Sequence, residues 1–366
     1  MGTAGCTTGA APPLALARCA LLAFLVPLGA SHGLCLGGEA GSCRALLVGG
    51  MPGAPIYERR YRDWLKRFHA LLTGPAKVPA QNAVVLSGDA GFSDPIVSGK
   101  ATADRIKGAL GDLARKLEPQ DQFILVLIGH GAAVGNLPSF IIPGQDLSAQ
   151  ELADALEPIR ARNQVVLNLT ASSGDALACF ATEGRVNIAA TSPTEVTEPV
   201  LAEFFLRGIE SQRADGEGTP TAGNLDGTIA LLEAFNWATR QTAMWIARQK
   251  ASRSGWQLDG KESVEIFNKL YVGKEGEPAT RTLSPASRAD APDEPIGLRP
   301  TGGTIDAFWF GRRIVAEHAL LEDCGREKGV SALRTGGYQP ISGLKEGEPG
   351  HLARRVVLGR PSLMPK

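Results

Sequence analysis

The stretch QFILVLIGHG, residues 122–131, constrains this chain more than any other. Phe123 through Ile128 are apolar without interruption. A run with no polar alternation is buried on both faces, which a strand achieves at the centre of a parallel sheet with helices on either side. The run ends in Gly129-His130-Gly131. Glycines flanking a histidine let the backbone turn sharply there and bring an amide close to a ligand.

The rest of the chain supplies what such a strand needs. RALLVGG (44–50), NAVVLSG (82–88), QVVLNLT (164–170) and RVNIAAT (185–191) read as further strands. Helices are expected over 56–72 and 102–117, where apolar residues recur on one face. Ser148 and Glu151 form a capping box opening a third helix, and 198–209 forms a fourth. Five strands with helical crossovers give an α/β fold, a three-layer α/β/α sandwich on a mostly parallel sheet. This domain spans 44–255, and its last part is a helix over roughly 227–251 behind a polar, Gly-rich loop. Residues 256–304 hold a helix and a Pro/Gly-rich insertion, flexible over 273–304. Residues 305–366 form a helix over 305–323 and an irregular tail, so the extension is read as helical.

Arg18 precedes the short apolar run CALLAFLVPLGA, and small residues follow it. That order makes 1–33 a secretory signal peptide and the protein periplasmic or extracellular, with an uncleaved signal anchor as the alternative. The run is too short for a spanning helix, and nothing after it is apolar enough to span a bilayer. In an oxidising compartment Cys35 and Cys43 are placed to pair. With 38 basic and 38 acidic residues, the charge gives no reason to expect nucleic acid or an anionic membrane as partner. No cysteine or histidine spacing points to a metal, no Gly-rich loop to a nucleotide, and no cofactor is implied.

Chemistry is expected at the carboxyl ends of the strands, where open parallel sheets gather their ligands. His130 lies at one such end and the turn Thr170-Ala171-Ser172-Ser173-Gly174 at the next. The order of GHGA (129–132), the small-residue turn ending Ser-Gly and RVNIAATSPTE (185–195) resembles the caspase-like fold of the legumain peptidases, clan CD, over about residues 44–210. The resemblance implies that His130 stands in the general-base position. It also implies that the nucleophile belongs to a turn of the form [ED]-A-C-x-S-G. Laid on LTASSG (169–174), that form puts Leu169 on the acidic residue and Ala171 on the cysteine, with Ser173 and Gly174 matching. The chain is also similar to an exported bacterial subgroup with Thr, Ser or Ala at that position, and EHALLEDCG (317–325) resembles a late motif of the subgroup.

An alanine offers no nucleophile, so the family's covalent mechanism has no route through position 171. The first reading is therefore a degenerate peptidase that binds a peptide or an exported protein in the former substrate cleft. The second is an active hydrolase in which Ser172 or Thr170 replaces the cysteine, with His130 as base and the Gly131 amide as oxyanion donor. Cys179 as a relocated nucleophile and an unrelated α/β protein with a structural His130 complete the alternatives. Glu195 and Glu198 are expected to line the cleft. Arg59, Arg60 and Arg62 read as a solvated helix face, and His69, His318 and His351 as structural.

Overall fold

In a computed structural model of the chain, the run at 122–129 is a strand buried along its whole length. The structure describes residues 41–134, 137–193, 195, 198–216, 223–253, 317–334 and 337–359. The signal segment, Cys35 with its expected bridge to Cys43, and the insertion at 273–304 lie outside the described residues.

In chain order the first elements are β1 (Cys43–Gly49), α1 (Pro55–Thr73), β2 (Ala83–Ser87), β3 (Val97–Lys100), α2 (Ala103–Lys116) and β4 (Gln122–Gly129). A short antiparallel sheet follows, β5 (Gly131–Val134), β6 (Leu137–Phe140) and β7 (Leu147–Ser148). Then come α3 (Ala149–Leu156), β8 (Asn163–Thr170), α4 (Leu177–Phe180), β9 (Arg185–Ala189) and α5 (Leu201–Glu210). The last described part holds β10 (Ile229–Ala230), α6 (Leu231–Arg253), β11 (Leu320–Glu322), β12 (Leu333–Arg334), β13 (Gly337–Tyr338) and β14 (Val357–Gly359).

The main sheet has the order β11-β9-β8-β4-β1-β2-β3. All its pairings are parallel except that of β11 with β9. Alternate residues of each strand enter two separate cores. Leu47, Val126 and Leu167 pack with α1, α5 and α6 on one face, while Leu46, Leu125 and Val166 pack with α2, α3 and α4 on the other. The expected α/β sandwich is therefore the observed one, with β4 near its centre. Ser148 caps α3 through the anticipated box, its hydroxyl accepting from Glu151 N while the Glu151 carboxylate accepts from Ser148 N.

Three features depart from the sequence reading. β3 was unmarked because VSGK is a short edge strand whose residues alternate between half-buried and exposed. The hairpin after His130 was also unmarked, although Phe140 of β6 is buried in the second core. The helix expected over 305–323 is contradicted where it is described, because Leu320–Glu322 is a strand. Leu321 lies opposite Ile188 and is fully buried, so pairing on the open edge of β9 overrides helical periodicity.

The described tail packs Leu333, Tyr338, Ile341, Val356 and Leu358 into the core that holds α6, and polar side chains fix its backbone. Asp323 accepts from the amides of Gly350 (2.8 Å), Leu352 (2.9 Å) and Ala353 (3.1 Å). Asn236 of α6 bonds both ways with Ile341, through its carbonyl at 3.0 Å and its amide at 2.9 Å. β14 pairs antiparallel with β10 at the start of α6.

Among the described residues, no helix is long and apolar enough to cross a membrane. Removing the α3 cap tests how far this local device matters. Ser148→Ala is expected to lower the unfolding free energy by about 1 kcal/mol, read as an earlier urea midpoint at unchanged slope.

Candidate functional site

Gly129 pairs with Thr170 where β4 and β8 run side by side, so His130 and Ala171 are the next residues of the two chains. Strand alternation then sorts the site by face. Ile128 and Leu169 belong to the core under α1 and α5. His130 lies two residues beyond Ile128, in the same phase. Thr170, at the end of β8, has the opposite phase, and with Ala171 and Ser172 of the turn it lines a cavity with Leu127 and Leu152, on the α3 side.

Ring contacts confirm the placement of His130. Tyr57 meets its imidazole edge-on with centroids 4.7 Å apart, and Tyr61 lies at 5.6 Å, both from α1. Both ring nitrogens are occupied. Nε2 faces the carbonyl oxygen of Pro52 at 2.9 Å, and a carbonyl only accepts, so Nε2 carries hydrogen. Nδ1 faces Glu198 Oε2 at 2.7 Å. The other oxygen of Glu198 is taken by the Tyr61 hydroxyl, whose oxygen also stands 3.3 Å from Nδ1.

Hydrogen on both ring nitrogens satisfies both partners. Burial pulls the His130 pKa down most strongly, yet the hydrogen bond and charge of Glu198, with the Pro52 carbonyl, leave it raised. Burial and Glu198 push the Tyr61 phenol well above its ordinary range, so it remains a neutral donor. Arg60 does not lie on a solvated face. It is half-buried, its guanidinium over Tyr57 (5.3 Å) and Trp64 (5.6 Å), with burial lowering its pKa against the pull of Glu198. Arg62 pairs with Asp89 at 2.5 Å, and Arg59 alone of the three is exposed.

The turn itself is tightly packed. Ala171 is 5% exposed. A Cβ on Gly131 would come within 2.0 Å of Ala171 O, which is why a glycine follows the histidine. Gly174 is equally constrained, since a Cβ there would meet Thr191 O and Ser192 C at 2.4 Å. Gly131 opens β5, opposite Phe140.

None of the neighbouring hydroxyls faces the imidazole. Thr170 Oγ1 donates to Asn168 Oδ1 at 2.8 Å. Ser173 Oγ accepts from Thr191 N at 3.1 Å and shares a bond with Thr191 Oγ1. Ser172 is 3% exposed and left-handed at φ +53°, and its Oγ makes no hydrogen bond among the described residues. It lines the cavity of about 20 Å³ on the α3 side. Cys179 is half-buried rather than buried, and burial raises its thiol pKa, which works against a reactive thiolate.

The segment 191–200 frames the site from the other side. Ser172 N donates to Glu195 O at 3.1 Å, joining the turn to this segment. The Glu195 carboxylate accepts from Ser192 N (2.7 Å), His318 N (3.1 Å) and His318 Nδ1 (2.5 Å). Glu317 is buried, and both its oxygens accept from Val200 N at 3.0 Å at the start of α5. Burial first, then the charge of Glu195, pushes its carboxyl up to about 8.

The fold places His130, Gly131, Ala171, Glu195 and Glu198 at the same end of the main sheet. It turns Thr170 and Ser172 away. It adds Tyr57, Tyr61, Arg60, Glu317 and His318, for the last of which the sequence alone gives a structural reading. The signal for these was the charged pair Glu317-His318 at the head of an apolar run. Among the described residues, no group of three or more His, Cys, Asp or Glu side chains is placed to hold a metal ion.

No protein-family model matches the sequence, nor does any curated protein. Solved structures with some similarity include the Drosophila initiator caspase Dronc. That likeness has 13% identity and TM-score 0.36, and covers 65% of this chain and 86% of Dronc. Another is a secreted C11 cysteine protease from Bacteroides thetaiotaomicron, in complex with an irreversible peptide inhibitor. Its identity is 14% and TM-score 0.30, over 58% of this chain and 71% of that one.

Two measurements follow from this geometry. Ser172→Gly removes a strained left-handed serine and an unsatisfied buried hydroxyl, so stability is expected to rise by roughly 1 kcal/mol in urea unfolding. A loss would show that the hydroxyl has a stabilising partner. The second concerns pH. Glu317 is raised from 4.5 to about 8, Glu233 to about 7, and His130 above 6.5, so each holds a proton when folded that the unfolded chain has released. Stability therefore falls as pH rises from about 5 to about 8. His69, lowered by burial, acts in the opposite direction. The melting temperature is expected to fall across this window, and more shallowly in Glu317→Gln. A flat profile in the wild type would contradict the assignment.

Proposed function

We propose that this chain is an exported, catalytically degenerate relative of the caspase- and legumain-like peptidases. It holds an extended peptide or a protein segment at the carboxyl edge of its sheet. The observation that carries the reading is the state of His130. A general base needs a free lone pair within reach of the proton it removes. Here Nε2 is spent on Pro52 O and Nδ1 on Glu198, at the position where the resemblance puts the base. Ala171 follows the end of the neighbouring strand without a nucleophile, Thr170 Oγ1 is bonded to Asn168 Oδ1, and Ser172 Oγ makes no hydrogen bond among the described residues. These facts support loss of the covalent mechanism over its transfer to a neighbouring hydroxyl.

Export rests on the Arg18-led apolar segment, and the subgroup assignment rests on LTASSG and EHALLEDCG. Binding is favoured by what remains when the chemistry is removed. The strand-end edge carries aromatic rings and fixed charges, which suit a strand-like segment whose main chain needs partners.

The test is a turnover and binding screen on the purified full chain. Pooled fluorogenic peptides and esters are offered to the wild type and to His130→Ala, Ser172→Ala and Cys179→Ala. We expect no turnover by any of them, with a subset of labelled peptides retained by the wild type in fluorescence polarisation. Turnover lost both in His130→Ala and in one hydroxyl or thiol variant would overturn the reading and name the nucleophile.

A further inference from the structure

The two histidines at this edge are held differently, and the difference has a chemical consequence. His130 has both nitrogens committed within the protein. His318 has only one. Its Nδ1 lies 2.5 Å from Glu195 Oε1, while Nε2 makes no hydrogen bond among the described residues. The side chain is 34% exposed, against 27% for His130.

Glu195 is an unusually fixed partner. Its second oxygen accepts from Ser192 N and from the backbone N–H of His318 itself, and its own carbonyl accepts from Ser172 N in the turn that carries Ala171. The Glu195 side chain is only 9% exposed, so it cannot swing away into solvent. A carboxylate so held dictates the tautomer of a neutral imidazole, placing hydrogen on Nδ1 and the lone pair on Nε2. The open nitrogen is thus a preorganised acceptor, at the same sheet edge as His130 and joined to the former nucleophile turn through one residue.

We propose that His318 is the polar contact of the binding cleft, its Nε2 accepting a hydrogen bond from a main-chain N–H of an extended peptide. The inference rests on the peptide-binding reading above and specifies which residue serves it. The class of ligand follows from the acceptor. The lone pair on Nε2, backed by the Glu195 carboxylate, takes a hydrogen-bond donor and disfavours an anion, and an extended main chain presents an N–H at every second residue on each side. Because Glu195 has already fixed the ring, the bond forms with little loss of side-chain freedom.

Histidine carbethoxylation tests this directly, since diethyl pyrocarbonate attacks an imidazole nitrogen that has a free lone pair. The full chain is treated with and without a saturating pool of the peptides it retains, and labelled positions are mapped by mass spectrometry. His318 is expected to react at least about tenfold faster than His130 and to be protected by peptide, while His69 and His351 keep their rates. Substitution gives the second readout. His318→Phe is expected to weaken those peptides roughly three- to tenfold, the span of one neutral hydrogen bond. His318→Gln, which keeps an acceptor, is expected to lose less, with both variants folded as judged by circular dichroism at the assay temperature. Peptides that bind while His318 stays reactive and His318→Phe keeps full affinity would overturn this proposal and leave peptide binding intact. A chain that retains no peptide at all would overturn both. Labelling of His130 in place of His318 would contradict the hydrogen bonding on which the proposal stands.

Discussion

Strands β4 and β8 run parallel with Gly129 beside Thr170, and the two-residue period of a strand does the rest. His130 leaves the sheet toward α1, while Thr170, Ala171 and Ser172 line the cavity under α3. A shift of β4 by one residue would send the histidine into the second core. That shift is not available. Ile124, Val126 and Ile128 fill one core and Phe123, Leu125 and Leu127 the other, each opposite a partner on β8. The chemistry of the edge is thus fixed by the packing of the strand behind it.

The charges at this edge depend on α1 and α5 standing together. Glu203 of α5 is buried and accepts from Trp64 Nε1 and Arg67 NH1 of α1, each at 2.8 Å, and from Arg207 at 2.6 Å. Those bonds and the ring stacking of Phe68 on Phe205 set the two helices against each other. Tyr57, Arg60 and Tyr61 then project from α1 toward the segment that leads into α5, where Glu198 lies. A buried carboxylate is costly unless neighbours share its charge. Glu198 meets that condition through His130 and Tyr61, with Arg60 adding positive potential nearby. Glu317 lacks such a cation at hydrogen-bond distance and instead holds its proton to about pH 8.

Much of the fold was legible because its signals are local. The apolar run at 123–128, the helical stripes at 56–72 and 102–117, and the Ser148–Glu151 box each follow from neighbours within a few residues. The edge strand at 97–100 and the strand at 320–322 were not, for opposite reasons. VSGK is too polar and short to announce itself, while Ala319-Leu320-Leu321 is apolar enough for either state and is decided by the open edge of β9. At the site, His130 and the altered turn stood out by motif. Arg60 and His318 did not, because their surroundings come from contacts 138 and 123 residues apart in sequence, with Glu198 and Glu195 respectively.

On the proposed reading, His130 has work to do without a nucleophile beside it. A base selected only for proton transfer would have nothing left to do once position 171 is alanine. His130 has a second occupation that does not involve position 171 at all. It pairs with Glu198, ties the Pro52 loop to the segment before α5, and meets two tyrosine rings edge-on. Removing it would leave a half-paired, part-buried carboxylate near Tyr61, which is destabilising. Retention of this residue is therefore not by itself a sign of catalysis. The proton affinity that suits a structural ion pair, raised and satisfied at both nitrogens, is the opposite of what a general base at neutral pH requires.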